Sequence, residues 1–395
     1  MRCAALVSLV VSSLAPQAGA QDAKARVELY GHIMTDAGIN GTVGNPLYFD
    51  VLRTSRLPSF QDEFGPGPST FFSVRQTRLG IKAGIPTSLG EVKTTFEFEL
   101  FGAGTDAGET TFHLRHAYAE LGKFGVGQYW SPFTDIDGFP NSVEYWGPTG
   151  MAIFRNIQIR YMPIQGDSRL TIALERPGAS GDGGIYADRI ELQDVNPRFP
   201  LPDLSAEYRK ATRWGYIELA GIVRYIKWDD LGNDPLDLEG DATGWGLNLS
   251  SNIKLNSSNT AHLQLAYGEG VENYMNDSPA DVGIEPNPGG GSLSPVRGVA
   301  LPVLGVTAFL DHTWSPKFSS AIGYSMQDID NSENQSPSAF SKGQYALGNL
   351  LYTPVPGVMT GVEVQWGDRE NFSDGFNSST VRVQLSFKYN YSKVF

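Results

Sequence analysis

One cysteine, Cys3, is all the chain has, and it lies in an N-terminal segment that reads as removed on export. That excludes disulfides, thiolate zinc centres and cysteine nucleophiles from the mature protein, and Cys3 is not at the cleavage point, so it offers no lipid anchor. Long hydrophobic runs are missing too. Beyond the first segment no run of about eighteen apolar residues occurs, which excludes ordinary transmembrane helices. Basic charge is scarce, with 30 Lys and Arg against 43 Asp and Glu for a formal net charge of -13. Such a balance argues against duplex nucleic acid as a partner. If this chain crosses a membrane, it must do so as a closed barrel, in which every backbone polar group pairs between strands.

The N-terminus supplies the reason to expect a membrane. Arg2 is followed by an apolar stretch from Ala4 to Leu14 and by Ala18-Gly19-Ala20 before Gln21. A charged start, a short apolar stretch and a small-residue ending make a secretory signal over residues 1–20, with the mature chain at 21–395. Loss of Arg2 takes the net charge from -13 to -14.

The mature sequence is a succession of segments with two-residue periodicity. From Glu91 to Leu100, Val92, Thr94, Phe96, Phe98 and Leu100 take one face, while Glu91, Lys93, Thr95, Glu97 and Glu99 take the other. The end of the chain repeats this, with Val381, Val383, Leu385, Phe387, Tyr389 and Tyr391 against Arg382, Gln384, Ser386, Lys388 and Asn390. Seven short turns are expected, at Pro86 to Gly90, Gly122 to Gly125, Pro163 to Ser168, Lys210 to Arg213, Asn256 to Asn259, Ser315 to Lys317 and Pro354 to Gly357. Eight longer loops fall near 37–70, 102–110, 131–150, 177–202, 229–241, 271–298, 328–340 and 370–378. Alternating short turns and long loops predict an all-β fold, a transmembrane antiparallel up-and-down β-barrel of about sixteen strands. Aromatics such as Trp130, Trp146, Trp214, Trp314 and Trp366 gather near strand ends, as interfacial girdles do.

Several stretches carry a resemblance to a known family: Tyr30-Gly31-His32-Ile33-Met34-Thr35-Asp36, Arg75-Gln76-Thr77-Arg78-Leu79-Gly80, Leu114 to Leu121, Gly127 to Phe133 leading to Phe139-Pro140, Ala266 to Gly270, and Asp368-Arg369-Glu370-Asn371. Together they resemble the DcaP-like family of outer-membrane porins over essentially the whole mature chain. No heptad segment stands between the signal and the first strand, so the N-terminal coiled coil of some relatives is not expected. The resemblance implies a homotrimer of sixteen-stranded barrels passing small anionic solutes, dicarboxylates among them. It also implies outer-membrane lipid and lipopolysaccharide as surroundings, and the barrel-assembly machinery as reader of the C-terminal strand ending in Phe395.

The residues have their own reading. The segment 131–150 lies where porins fold a third loop into the lumen, and its Asp135, Asp137 and Glu144 are expected to oppose basic wall residues, creating a transverse field. Alternation puts Arg78 and Lys82 on the polar face with Gln76, and Arg160 with Asn156 and Gln158. Lys93 and Arg382 line the polar faces of their own strands. By parity Arg75 should face outward unless the strand bulges there or the residue lies at the rim. Arg115 has the apolar companions Ala117 and Ala119, so its inward reading rests on the family pattern. Any of these arginines could instead serve in ion pairs of the wall.

No catalytic residue, cofactor or metal is expected. HExxH and GxSxG are absent, and Asp135-x-Asp137 lacks the rest of a calcium loop. His113 and His116, three apart on a strand, should point to opposite faces. The readings that compete with a passive pore are an outer-membrane barrel enzyme, such as a hydrolase, and a structural or adhesion barrel with a blocked lumen.

Overall fold

The computed structural model describes residues 24–178, 195–232 and 234–395. The expected signal at 1–20 and parts of the loops at 177–202 and 229–241 lie outside them. Eighteen strand segments form one sheet, and two of its strands are interrupted, so the sheet has sixteen staves. These are β1 (Arg26–Asn40), β2 (Ser69–Ser73 with Arg78–Thr87), β3 (Gly90–Phe101), β4 (Thr110–Leu121), β5 (Phe124–Trp130), β6 (Arg155–Ile164), β7 (Arg169–Glu175) and β8 (Val195–Arg198 with Asp203–Thr212). The second half holds β9 (Gly215–Asp230), β10 (Gly240–Lys254), β11 (Asn259–Glu269), β12 (Pro302–Ser315), β13 (Phe318–Ile329), β14 (Phe340–Val355), β15 (Val358–Asn371) and β16 (Asn377–Val394). Each pairs antiparallel with its neighbour. The sheet closes where β16 pairs β1 from Glu28↔Val394 to Asn40↔Arg382. Backbone bonds between Val27 and Phe395 extend that seam to the last residue. Closure leaves no edge strand to face lipid.

All seven short turns fall where the periodicity puts them, and the eight loops, L1 to L8, emerge from the opposite rim. In such barrels the turns face the periplasm and the loops the exterior. The wall alternates as expected. In β6, Ile157, Ile159 and Tyr161 are exposed while Asn156, Gln158 and Arg160 are buried; in β16, Val381, Leu385 and Phe387 are exposed while Arg382, Gln384 and Ser386 are buried.

Two strands depart from strict alternation, and each departure moves a charge. The backbone of β2 leaves the ladder over residues 74–77, so Arg75 turns inward, almost fully buried, with Nη1 2.5 Å from Asp50. Of the two alternatives left open for Arg75, interruption of the strand is the one realised. In β4 the register slips at Arg115, since Glu97 pairs His116 while the adjacent Phe98 pairs Leu114. That bulge reverses parity part-way along the strand. The expectation that His113 and His116 face opposite sides is therefore overturned: His113 Nδ1 lies 3.6 Å from Glu99 and His116 Nε2 3.9 Å from Glu97, both inside the wall.

The barrel interior is not uniformly polar. Ala220 and Ile222 of β9, Ala266 of β11, Val303 of β12, Ile329 of β13 and Phe340 of β14 join Phe133, Tyr274, Met275 and Leu301 in a buried cluster. Inward apolar positions on one side of the barrel thus pack against the third and sixth loops. The space that remains open lies against the other side.

Candidate functional site

The third loop, L3, leaves β5 at Ser131 and reaches β6 at Arg155. Its first turn is fixed to β8, β9 and β10: Arg209 Nη2 donates to Asp135 at 2.5 Å, Tyr216 Oη at 2.7 Å and Ser250 Oγ at 2.6 Å, while Asn248 holds the Phe133 carbonyl at 2.8 Å. Its middle is fixed to β15, where Ser142 Oγ and Val143 N donate to Glu363 at 2.9 and 3.0 Å. Its return is fixed to β13 and β11, through Gly150 N to Ser325 Oγ at 2.9 Å and Ala152 N to Gln264 at 2.8 Å. Gly150 allows this approach because a Cβ there would overlap the Met326 carbonyl oxygen.

Two further loops join it. Asp277 of L6, fully buried, accepts from Arg53 Nε at 2.8 Å, Ser55 N at 2.9 Å and Ser55 Oγ at 2.6 Å, and from Thr54 Oγ1 at 3.1 Å, all on L1. Thr149 of L3 reaches the same carboxylate at 3.5 Å. Trp146 Nε1 of L3 donates to the Asn276 carbonyl at 2.9 Å. L1, L3 and L6 are thus one assembly joined around Asp277.

Between this assembly and the wall formed by β16 and β1 to β6 lies a cavity of about 800 Å³. Six cations line it, Arg53, Arg56, Arg78, Arg115, Arg155 and Lys388, against two carboxylates, Glu97 and Glu144; His32, His113 and His116 lie among them. The wall part is a connected ladder. Arg115 Nε donates to Glu97 at 2.7 Å and its Nη1 to Glu99 at 2.7 Å; Arg78 Nη2 donates to Glu99 at 3.1 Å, and Arg155 Nη2 lies 3.8 Å from that carboxylate. Three guanidinium groups meet two carboxylates, leaving the ladder one positive charge in excess. Arg155 Nη1 has no hydrogen-bond partner among the described residues. Facing the ladder, Tyr145 of L3 donates its hydroxyl to Glu99, and Arg53 lies over the rings of Trp146 and Tyr48 at 3.9 and 4.4 Å. Guanidinium groups with spare donors, beside aromatic faces, are suited to holding and releasing carboxylates.

Of the residues singled out from the sequence, Arg78, Arg115 and Glu144 line this cavity. The other placements differ. Arg160 is buried inside the wall, its Nε 2.9 Å from Gln158 and its Nη2 on the Trp130 carbonyl, without reaching the cavity. Arg382 is fully buried over the Phe71 ring, held by the Asp50 carbonyl and 3.9 Å from Glu144. Lys82 stands over the Tyr30 ring near the turn rim, and exposed Lys93 pairs with Glu120 at 3.3 Å. Of the L3 acids, only Glu144 shares the cavity with Arg78 and Arg115; Asp135 and Asp137 are bound elsewhere, by Arg209, at 2.5 and 2.6 Å. The partners of the first two arginines come instead from the adjacent strand β3, because neighbouring strands place side chains within direct reach.

Glu144 is buried, and its Oε1 accepts from Leu52 N at 3.0 Å and Trp146 N at 3.2 Å. Burial outweighs Arg382 and these bonds, pushing its carboxyl up to about 7. Sequence reasoning missed Arg53, Arg56 and Arg155 as lining groups. Arg155 stands at the first residue of β6, where alternation is a weak guide, and the first two lie on a loop with no period at all.

Comparison with known proteins agrees with this architecture. Among curated proteins no sequence match is found. The outer membrane channel DcaP of Acinetobacter baumannii is similar in structure at a TM-score of 0.76 and 22% identity, over 94% of this chain and 99% of that one. An anion-selective porin from Comamonas acidovorans follows at a TM-score of 0.59 and 11% identity, over 93% and 100%. OmpT, an outer-membrane protein of Vibrio cholerae, gives 0.54 and 10%, over 95% and 99%. The family model for DcaP outer membrane proteins matches residues 17–391, so this chain, a sixteen-stranded outer-membrane porin, belongs to the DcaP outer membrane protein family.

Proposed function

We propose that the pore passes small organic anions, dicarboxylates among them, by passive diffusion without catalysis, and that it works as a homotrimer exported behind a cleaved segment at 1–20. The observation that carries the reading is the excess of six cations over two carboxylates around the cavity, in a chain that is strongly acidic as a whole. Net charge alone would favour cations. Acids on distant loops act weakly inside, because the screening length at physiological salt is about 8 Å. The groups that a permeating ion meets at close range decide its preference.

In this reading L3, with L1 and L6, constricts the lumen. The guanidinium groups of Arg78, Arg115 and Arg155 draw a carboxylate in. Glu97 and Glu99, already bonded to the same arginines, compete with it and keep the exchange fast. The Comamonas porin named above as anion-selective has a related fold, which is in keeping with this reading.

Uptake into vesicles carrying the purified porin tests it. Succinate should enter faster than an uncharged solute of equal size, and Arg78→Gln with Arg155→Gln should remove that advantage while leaving the uncharged solute's rate within about two-fold. Equal rates for the two solutes in the unmodified pore would refute the proposal.

A further inference from the structure

The turn rim of the barrel carries a charge opposite to that of the whole chain. Segments 24–28, 82–93, 120–124, 165–168, 210–214, 254–259, 312–318, 353–358 and 390–395 make up this rim, and they hold ten Lys or Arg against four Asp or Glu. The chain's total is -13, so the negative charge is concentrated elsewhere. Every one of the ten cations is exposed.

Five of them share a local pattern. Lys123 precedes Phe124, Arg213 precedes Trp214, Lys254 precedes Leu255, Lys317 precedes Phe318, and Lys393 precedes Val394 and Phe395. Each of these apolar side chains is exposed, from 40% for Trp214 and Phe318 to 71% for Phe395. The five cations have no ion-pair partner among the described residues. The pairs recur around the barrel, at four turns and at the seam with β16.

We propose that these five cation–apolar pairs form a ring that binds the anionic headgroups of phospholipids in the periplasmic leaflet. An exposed aromatic or aliphatic side chain at the end of a barrel strand sits at the boundary of the acyl chains. The adjacent cation then lies at headgroup depth, where a lysine or arginine extends its charge toward a phosphate while its stem stays on apolar surface. Charge complementarity selects an anionic phosphodiester lipid over a zwitterionic one. A soluble anionic polymer of the periplasm would use the cations but has no need of the apolar neighbours, so their pairing favours lipid. The ring stands outside the cavity-lining set, so it anchors the barrel independently of what the pore conducts.

The test uses the whole mature porin and a variant carrying Lys123→Gln, Arg213→Gln and Lys317→Gln, all at turns and away from the lumen. The midpoint of thermal unfolding is read in phosphatidylcholine vesicles and in vesicles where part of that lipid is replaced by phosphatidylglycerol. The unmodified porin should unfold several degrees higher with phosphatidylglycerol. High salt should erase that gain. The variant should lose most of it while matching the unmodified midpoint in phosphatidylcholine and retaining its conductance. Equal midpoints for the unmodified porin in the two lipids, or a variant that keeps the full gain, would overturn the proposal. Heparin added to phosphatidylcholine vesicles and raising the midpoint as far as phosphatidylglycerol does would assign the ring to a soluble polyanion and overturn it equally.

Discussion

Arginines of this barrel do two kinds of work, and their partners tell the kinds apart. Arg160 gives its Nε and Nη2 donors to Gln158 and the Trp130 carbonyl, and Arg382 donates through Nη2 to the Asp50 carbonyl and Gln384, both deep in the wall. Arg160→Ala should leave ion selectivity unchanged and destabilise the barrel by about 1–3 kcal/mol, since the Trp130 carbonyl and Gln158 lose their donor; a urea titration in detergent, read beside bilayer recordings, separates the two effects. Arg115 belongs to both kinds, because it lines the cavity and neutralises Glu97 and Glu99. Arg115→Ala removes the shortest cation bonds of two buried carboxylates, leaving Glu99 to Arg78 and Arg155 and Glu97 to Tyr30 and Arg78, and should cost roughly 1–3 kcal/mol, seen as a poorer yield of folded barrel. Glu144 gives a pH signature. Its carboxyl is raised from 4.5 to about 7, so the folded protein binds this proton more tightly than the unfolded chain does. Its contribution to stability is then fully present below about 4.5 and is lost as pH rises through about 7. Glu144→Gln should flatten the fall in unfolding midpoint across that window; an unchanged pH profile in the variant would assign the titration to another group.

Elements were legible in the sequence to the extent that lipid and lumen impose a period of two. Glu91 to Leu100 and Val381 to Tyr391 alternate without interruption, so their faces and the turns that bound them could be placed from residue types alone. The bulge at Arg115 and the break before Arg78 were not legible as placements, since one extra residue in a strand changes the parity of everything beyond it without changing composition. The inward course of L1 and L6 was hidden for another reason: loops have no period, and the contacts of Asp277 with Arg53 and Ser55 span 224 and 222 positions. Asp277→Asn keeps the shape but removes the charge that holds three loops together. Single-channel recordings of that variant should show larger current fluctuations and a higher mean conductance; a current as quiet as that of the unmodified pore would deny the junction its role. Loss of β16 from Thr380 onward should abolish assembly, because β1 and β15 would present unpaired backbone groups to lipid at several kcal/mol each. A truncated chain recovered as a heat-modifiable membrane barrel would contradict the register of that seam.

Whole-molecule behaviour derives from a division of the lumen. One side is packed solid by L3 and L6 on β9 to β14, and the other stays open against a wall whose charged groups are mostly basic. A closed barrel of this kind should resist SDS until heated, and under the proposed homotrimer, which rests on membership of the family and not on the lumen, its mass in detergent should correspond to three copies. In the proposed function, close-range arginines, and not the total charge of -13, set the preference of the pore. The most direct measurement is the reversal potential of the purified porin in a planar bilayer under a potassium chloride gradient. The expected result is the sign of a chloride-preferring pore, and an anion-to-cation permeability ratio that falls about two-fold or more when Arg78 and Arg155 are both replaced by glutamine. A pore that prefers potassium before any substitution, or one whose reversal potential does not move in the double variant, would contradict it.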